Sequence, residues 1–204
     1  GLNTISEEEL TSSAPVSEVG DPVAANAYGY LETIRDHEEN HFRTLGSVVE
    51  DLGGDPVAEP EFDFGTAVEE PAEFIATAVA LEDTGVAAYA GAAPSIENAD
   101  LVPPALSIHS VEARHASFLN LVNDSSPFPK VVDEAKSIEE VLSIAGQFVT
   151  SEVDSSTYEL GENRPAADRT SDDDTSDLNV LNYALTLEHL ENAFYREGLD
   201  RFSD

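Results

Sequence analysis

The chain is 204 residues long and carries 42 Asp and Glu against 9 Lys and Arg, a formal net charge of −33. Such a surface repels polyanions, which argues against direct binding to nucleic acid or to an anionic membrane. Cysteine is absent, which removes disulfides, thiolate metal sites, iron–sulfur centres and cysteine nucleophiles, and no apolar run approaches the ~20 residues of a membrane span.

Hydrophobic residues make up 41% of the chain, too many for an acidic disordered tail. The only lysines are Lys130 and Lys136. A foldable core under a carboxylated surface fits work in molar salt, where screening shortens repulsion to roughly 3 Å. The expectation is a halophilic source and the cytoplasm of a salt-accumulating cell, with the cell surface or secretion left open.

The elements follow in chain order. Gly20-Asp21-Pro22 ends a polar lead-in, and Pro22 suits a first helical turn. The pattern predicts a helix over 22–53, stopped by Gly53-Gly54-Asp55-Pro56. A long connection leads to a second helix over 70–91, which opens at Glu70-Pro71 and closes at Gly91-Ala92-Ala93-Pro94. A third helix over 103–122 follows Pro103-Pro104. Ser137-Ile138-Glu139-Glu140 resembles a capping box and opens a short helix over 137–149. Residues 151–177 are polar and acidic and read as a linker. Asp177 is then expected to cap a last helix over 178–202. No segment sustains period-2 alternation, so the expected fold is all-α, a single domain over 1–204.

The four long helices share one anomaly. Each has an apolar stripe at helical spacing with a carboxylate in its middle. The stripes centre on Glu38 between Ile34 and Leu45, Glu82 between Val79 and Val86, Glu112 between Ile108 and Leu119, and Glu188 between Leu185 and Leu199. Burying one unpaired carboxylate costs several kcal/mol. Four such positions, one per helix, imply a shared counter-charge. The sequence also repeats itself. Leu81-Glu82 with Ala87 and Tyr89 matches Leu187-Glu188 with Ala193 and Tyr195, and Glu38-x-x-His41 with Leu45 matches Glu112-x-x-His115 with Leu119.

Four glutamates and two histidines in a bundle core suit two divalent cations, whose charges cancel those of the carboxylates. Glu-x-x-His places both ligands on one helix face. The expected roles are Glu38 and Glu112 as bridges, Glu82 and Glu188 as terminal ligands, and His41 and His115 one per metal. An oxygen-rich set with two imidazoles suits iron first, with manganese or zinc as alternatives. Tyr89 and Tyr195 each lie seven residues after a ligand Glu. They are candidates for hydrogen-bonding those ligands or carrying an electron, with core packing an equal explanation. His37 and Glu191, each near a ligand, are secondary candidates. His109 and His189 are not.

On these residues the chain resembles the ferritin-like superfamily. It is most similar to short ferritin-like domain proteins related to desiccation-associated proteins. The segments Leu181–Glu191, His37–His41, Leu81–Tyr89 and Val111–His115 carry the resemblance, which covers about residues 22–122 and 178–204. It implies a four-helix bundle, a carboxylate-bridged di-metal centre and homo-oligomers. The Glu188 helix stands first in that family and last here, so the chain looks circularly permuted, and a helix exchanged between subunits is an alternative.

The function expected is that of a di-iron or di-manganese oxidoreductase acting on dioxygen or peroxide, or a ferroxidase, with electrons from outside. The alternative is an iron-storage or structural assembly protein with a stabilising metal site.

Overall fold

The computed structural model describes residues 7–14, 16–151 and 174–202. Seven α-helices are found there: α1 (Glu7–Ser12), α2 (Asp21–Ala24), α3 (Ala27–Asp51), α4 (Pro71–Ala92), α5 (Val102–Val122), α6 (Ile138–Ala145) and α7 (Asp174–Phe202). The helices α3, α4, α5 and α7 form the bundle, with α3 packed chiefly on α7 and α4 on α5. The α3 and α7 helices run antiparallel. Tyr28 Oη donates to Leu199 O near one end and Asn192 Nδ2 to Arg35 O further along, while Leu45 and Val49 share a cluster with Leu181 and Leu185 at the other end.

Local chemistry explains most boundaries. Pro71 sits at the start of α4, where its missing N–H is no loss. Gly53 takes φ 79°, which lets the chain leave α3, and Gly54 N then donates to Val49 O. The capping box of α6 is present: Glu140 N donates to Ser137 Oγ, and Ser137 N to Glu140 Oε2.

Three sequence expectations need correction. The helix expected over 22–53 is two helices, broken at Ala25–Asn26. The Asn26 side chain donates to Pro22 O at 2.7 Å, a local bond that competes with helix continuation. The polar lead-in is not featureless, because α1 and the turn at Val16–Val19 sink Leu10 and Val16 completely into the core. The last helix starts at Asp174, not 178, so Asp177 lies inside α7 rather than capping it. Its carboxylate instead accepts from Glu97 N at 2.7 Å and Asn98 N at 2.9 Å, which ties the α4–α5 connection to α7. Residues 152–173 of the expected linker lie outside the described residues.

The core has two parts. One holds Ile34, Phe74, Leu119, Leu190, Phe194 and Tyr195. The other holds Leu45, Ile108, Leu181 and Leu185. Residues of the first part flank Glu38 and Glu112 on one side and residues of the second flank them on the other, so the glutamates occupy the layer between. Among the described residues, no helix is long and apolar enough to cross a membrane.

Candidate metal centre

The four mid-stripe glutamates, one on each of α3, α4, α5 and α7, converge in that layer. Glu38, Glu82, Glu112 and Glu188 are all 0% exposed. The histidine one turn after Glu38 and the one after Glu112 enter the same space. The His41 Nδ1 atom lies 2.8 Å from Glu112 Oε1, 3.1 Å from Glu38 Oε2 and 3.3 Å from Glu188 Oε2. The His115 Nδ1 atom lies 3.0 Å from Glu38 Oε1 and 3.3 Å from Glu82 Oε2. Both rings therefore present the same nitrogen inward.

Two overlapping sets result. Glu38, His41, Glu112 and Glu188 form one, and Glu38, Glu82, Glu112 and His115 the other, each with one ligand atom per residue and all within 4.8 Å of one another. The sets share Glu38 and Glu112 and differ in one Glu and one His. These buried carboxylate and imidazole groups could hold a metal ion.

The electrostatics of the bare cluster favour a cation. Two like unit charges about 5 Å apart repel by about 3 kcal/mol at an effective dielectric constant near 20. Burial, then the charges of Glu112 and Glu82, push the Glu38 carboxyl well above its usual range. Burial and the charge of Glu112 push Glu82 up to about 7. Burial alone would pull the two imidazoles down. Contacts with Glu112, Glu188 and Glu38 outweigh it at His41, and contacts with Glu112, Glu38 and Glu82 at His115, so both are pushed up to about 12. Protons alone leave the cluster poorly satisfied. Glu38 Oε1, Glu82 Oε2, both oxygens of Glu112, Glu188 Oε2 and His115 Nδ1 are buried with no partner aligned for a hydrogen bond, although the imidazole nitrogens lie close to several of these oxygens. Such orphans are rare in folded proteins. Oxygen and imidazole donors facing one another across a dry space suit a hard or borderline divalent cation.

The tyrosines cross over. Tyr195 on α7 donates to Glu82 Oε1 on α4 at 2.6 Å, and Tyr89 on α4 donates to Glu188 Oε1 on α7. Each thereby fixes one oxygen of a glutamate found in only one set and leaves the other oxygen turned toward that set. Burial and the partner carboxylate raise both phenols well above their usual value.

His37 meets a ligand candidate from the outside. Its Nδ1 is 2.9 Å from Nε2 of His115, on α5, and its ring centroid is 6.4 Å from that of His41. The sequence marked it only as near His41, and its partner on α5 shows in the fold alone. Glu191 is 3% exposed and in neither set. It fills the space above Gly85, where a Cβ would come within 3.0 Å of Glu191 Oε1. Burial, then the charges of Glu112, Glu82, Glu188 and Glu38, raise its carboxyl well above the usual range. His109 and His189 take no part in either set.

No curated protein and no solved structure matches the chain. Residues 6–124 and 176–204, most of its length, match the family model of the ferritin-like domain. Both matched stretches contribute helices to the bundle and glutamates to the buried layer, and the chain belongs to the ferritin-like domain family.

Proposed function

We propose that this protein is a di-metal carboxylate oxidoreductase that acts on dioxygen or peroxide, or a ferroxidase whose reductant is ferrous iron itself. The observation that carries the reading is the pair of overlapping ligand sets sharing Glu38 and Glu112. In it, Glu38 and Glu112 would serve both of two divalent ions, Glu188 with His41 would complete the donors of one, and Glu82 with His115 those of the other. Iron is the first candidate for the native metal, and manganese or zinc also suits the donors. When bound, a redox-active pair supplies electrons and Lewis acidity.

The chain's own residues do the rest. The bridging carboxylates hold negative charge between the two positions. Tyr89 and Tyr195 orient Glu188 and Glu82 through their hydroxyls, and either phenol is placed to pass an electron toward the centre. His37 orients His115 through its outer nitrogen. The two hydrophobic clusters keep bulk water from the carboxylate layer.

A second reading, in which metal chiefly holds the bundle together, draws on the same layer, because removing the ions would leave four carboxylates facing one another between two apolar clusters. The family's homo-oligomers, a circularly permuted order with α7 in the family's first position, and a halophilic cytoplasm belong to the same proposal. The charge of −33 supports the salt-rich setting.

The test is anaerobic loading with ferrous ion followed by dioxygen or hydrogen peroxide. The proposal predicts consumption of one of them and its loss, with the metal, in Glu112→Ala. The variant Glu39→Ala, which removes an exposed partner of Arg43, keeps both. Equal metal content in wild type and Glu112→Ala overturns the ligand roles. Metal without turnover supports the structural reading.

A further inference from the structure

The Tyr89 and Tyr195 sides of the centre are related by the sequence repeat, yet they are packed differently. Around Tyr195, which is fully buried, the space is filled by Phe74 and Phe194, whose ring centroids lie 6.1 and 5.6 Å from its own. Behind Tyr89 a cavity of about 50 Å³ remains between the four bundle helices, lined by Ala88, Ala105 and Ala184 together with larger apolar side chains such as Leu45, Ile108 and Leu187. Tyr89 forms part of the wall, and its hydroxyl donates to Glu188. The cavity is therefore one side chain away from the set formed by Glu38, His41, Glu112 and Glu188.

The cavity is several times larger than the ~10–15 Å³ needed for one water, so size does not keep water out; polarity does, since a buried water needs 2–4 polar partners. Three of the polar groups on its wall are already engaged. Thr44 Oγ1 donates to Asn40 O at 2.7 Å, the Asp177 oxygens accept from Glu97 N and Asn98 N, and Tyr89 is committed to Glu188. Apolar cavities of this kind stay dry and take up apolar solutes. Hydrogen peroxide has two hydroxyls to satisfy and is disfavoured there for the same reason as water. Dioxygen has no hydrogen-bond donor and no net charge.

We propose that the apolar cavity behind Tyr89 is a holding site for dioxygen, serving the Glu188–His41 side of the metal centre. The inference rests on the proposed di-metal reading and narrows it from either oxidant to dioxygen. It also makes the two metal positions unequal, because Phe74 and Phe194 pack against Tyr195 on the other side.

Xenon, an apolar atom, is the probe. Crystals of the metal-free protein pressurised with xenon should show a peak bounded by Ala88, Ala105 and Ala184, and Ala184→Val, which adds two methyl groups to the wall, should lose it. In the metal-loaded protein the same variant should lower the ratio of the dioxygen rate to the peroxide rate severalfold. The variant Ala105→Val enters from the opposite helix and should act alike, which guards against a misfolded Ala184→Val. No xenon in the wild-type cavity overturns the proposal whatever the metal does. An unchanged rate ratio in both filled variants overturns it even where xenon binds. Failure to bind metal would instead strike the di-metal reading, while the xenon result still decides whether the cavity takes apolar gas.

Discussion

Glu112 supplies an atom to both ligand sets, whereas Glu82 belongs to one and Glu188 to the other. Substitution at these positions should therefore remove different fractions of the stabilisation that metal confers. Each site held at a hundredfold excess over its dissociation constant adds about 2.7 kcal/mol, so two independent sites add about 5 kcal/mol. For a chain of this size 1 kcal/mol moves the midpoint by roughly 2–4 °C. Saturating metal should then raise the wild-type midpoint by on the order of 10–20 °C. The variant Glu112→Gln keeps the shape, removes the charge and should lose most of the rise. Glu82→Gln should keep about half. Without metal, Glu112→Gln relieves repulsion at Glu38 and Glu82 but weakens the contacts with His41 and His115, so its midpoint should move much less than the metal-dependent rise. Thermal unfolding followed by circular dichroism, under nitrogen and at fixed metal excess, measures all of this. An equal metal-induced rise in wild type and Glu112→Gln would refute the sharing of that carboxylate.

Glu82 is pushed from 4.5 up to about 7, and His41 and His115 from 6.5 up to about 12. The folded metal-free protein thus holds protons that the unfolded chain has released, and stability falls as pH rises through these windows. The metal-free midpoint should drop between about pH 6 and about pH 9, while the loaded protein, in which cations replace those protons, should not follow it; parallel curves would contradict this. In Gly198→Ala the new Cβ would meet Phe74 Cε2 at 2.2 Å. The ring is stacked on Phe194 at 4.8 Å and has little room to move. Overpacking of this kind costs about 1–3 kcal/mol, read as a lower urea midpoint. Finally, the charge of −33 should loosen the bundle in dilute buffer, seen as helicity lost at low salt and regained in molar potassium chloride.

The parts of the fold that follow from periodicity were legible in the sequence. A glutamate at the centre of an apolar stripe is costly anywhere but near a counter-charge, so four of them marked one meeting place before any packing was known. Proline and glycine punctuation located α4 and α5 to within a residue of their observed ends. Features that depend on which helix lies beside which were not legible. Asp177 reads as a cap by local grammar, yet its partners are backbone N–H groups 80 and 79 residues away. His37 pairs with a histidine 78 residues away. The start of α7 at Asp174 was not legible, because Asp174, Thr175, Ser176 and Asp177 are all polar and carry no apolar periodicity. The cavity behind Tyr89 was equally hidden, since alanines on a stripe read as close packing until the residues that share their space are known.

The central claim is that six side chains from four helices hold a pair of cations, and anomalous diffraction at the absorption edge of the loaded metal tests it most directly. The account predicts two peaks per chain, both touching Glu38 and Glu112, one beside His41 and Glu188 and the other beside His115 and Glu82. A bundle interior without a peak, in protein loaded under nitrogen at saturating metal, would contradict it.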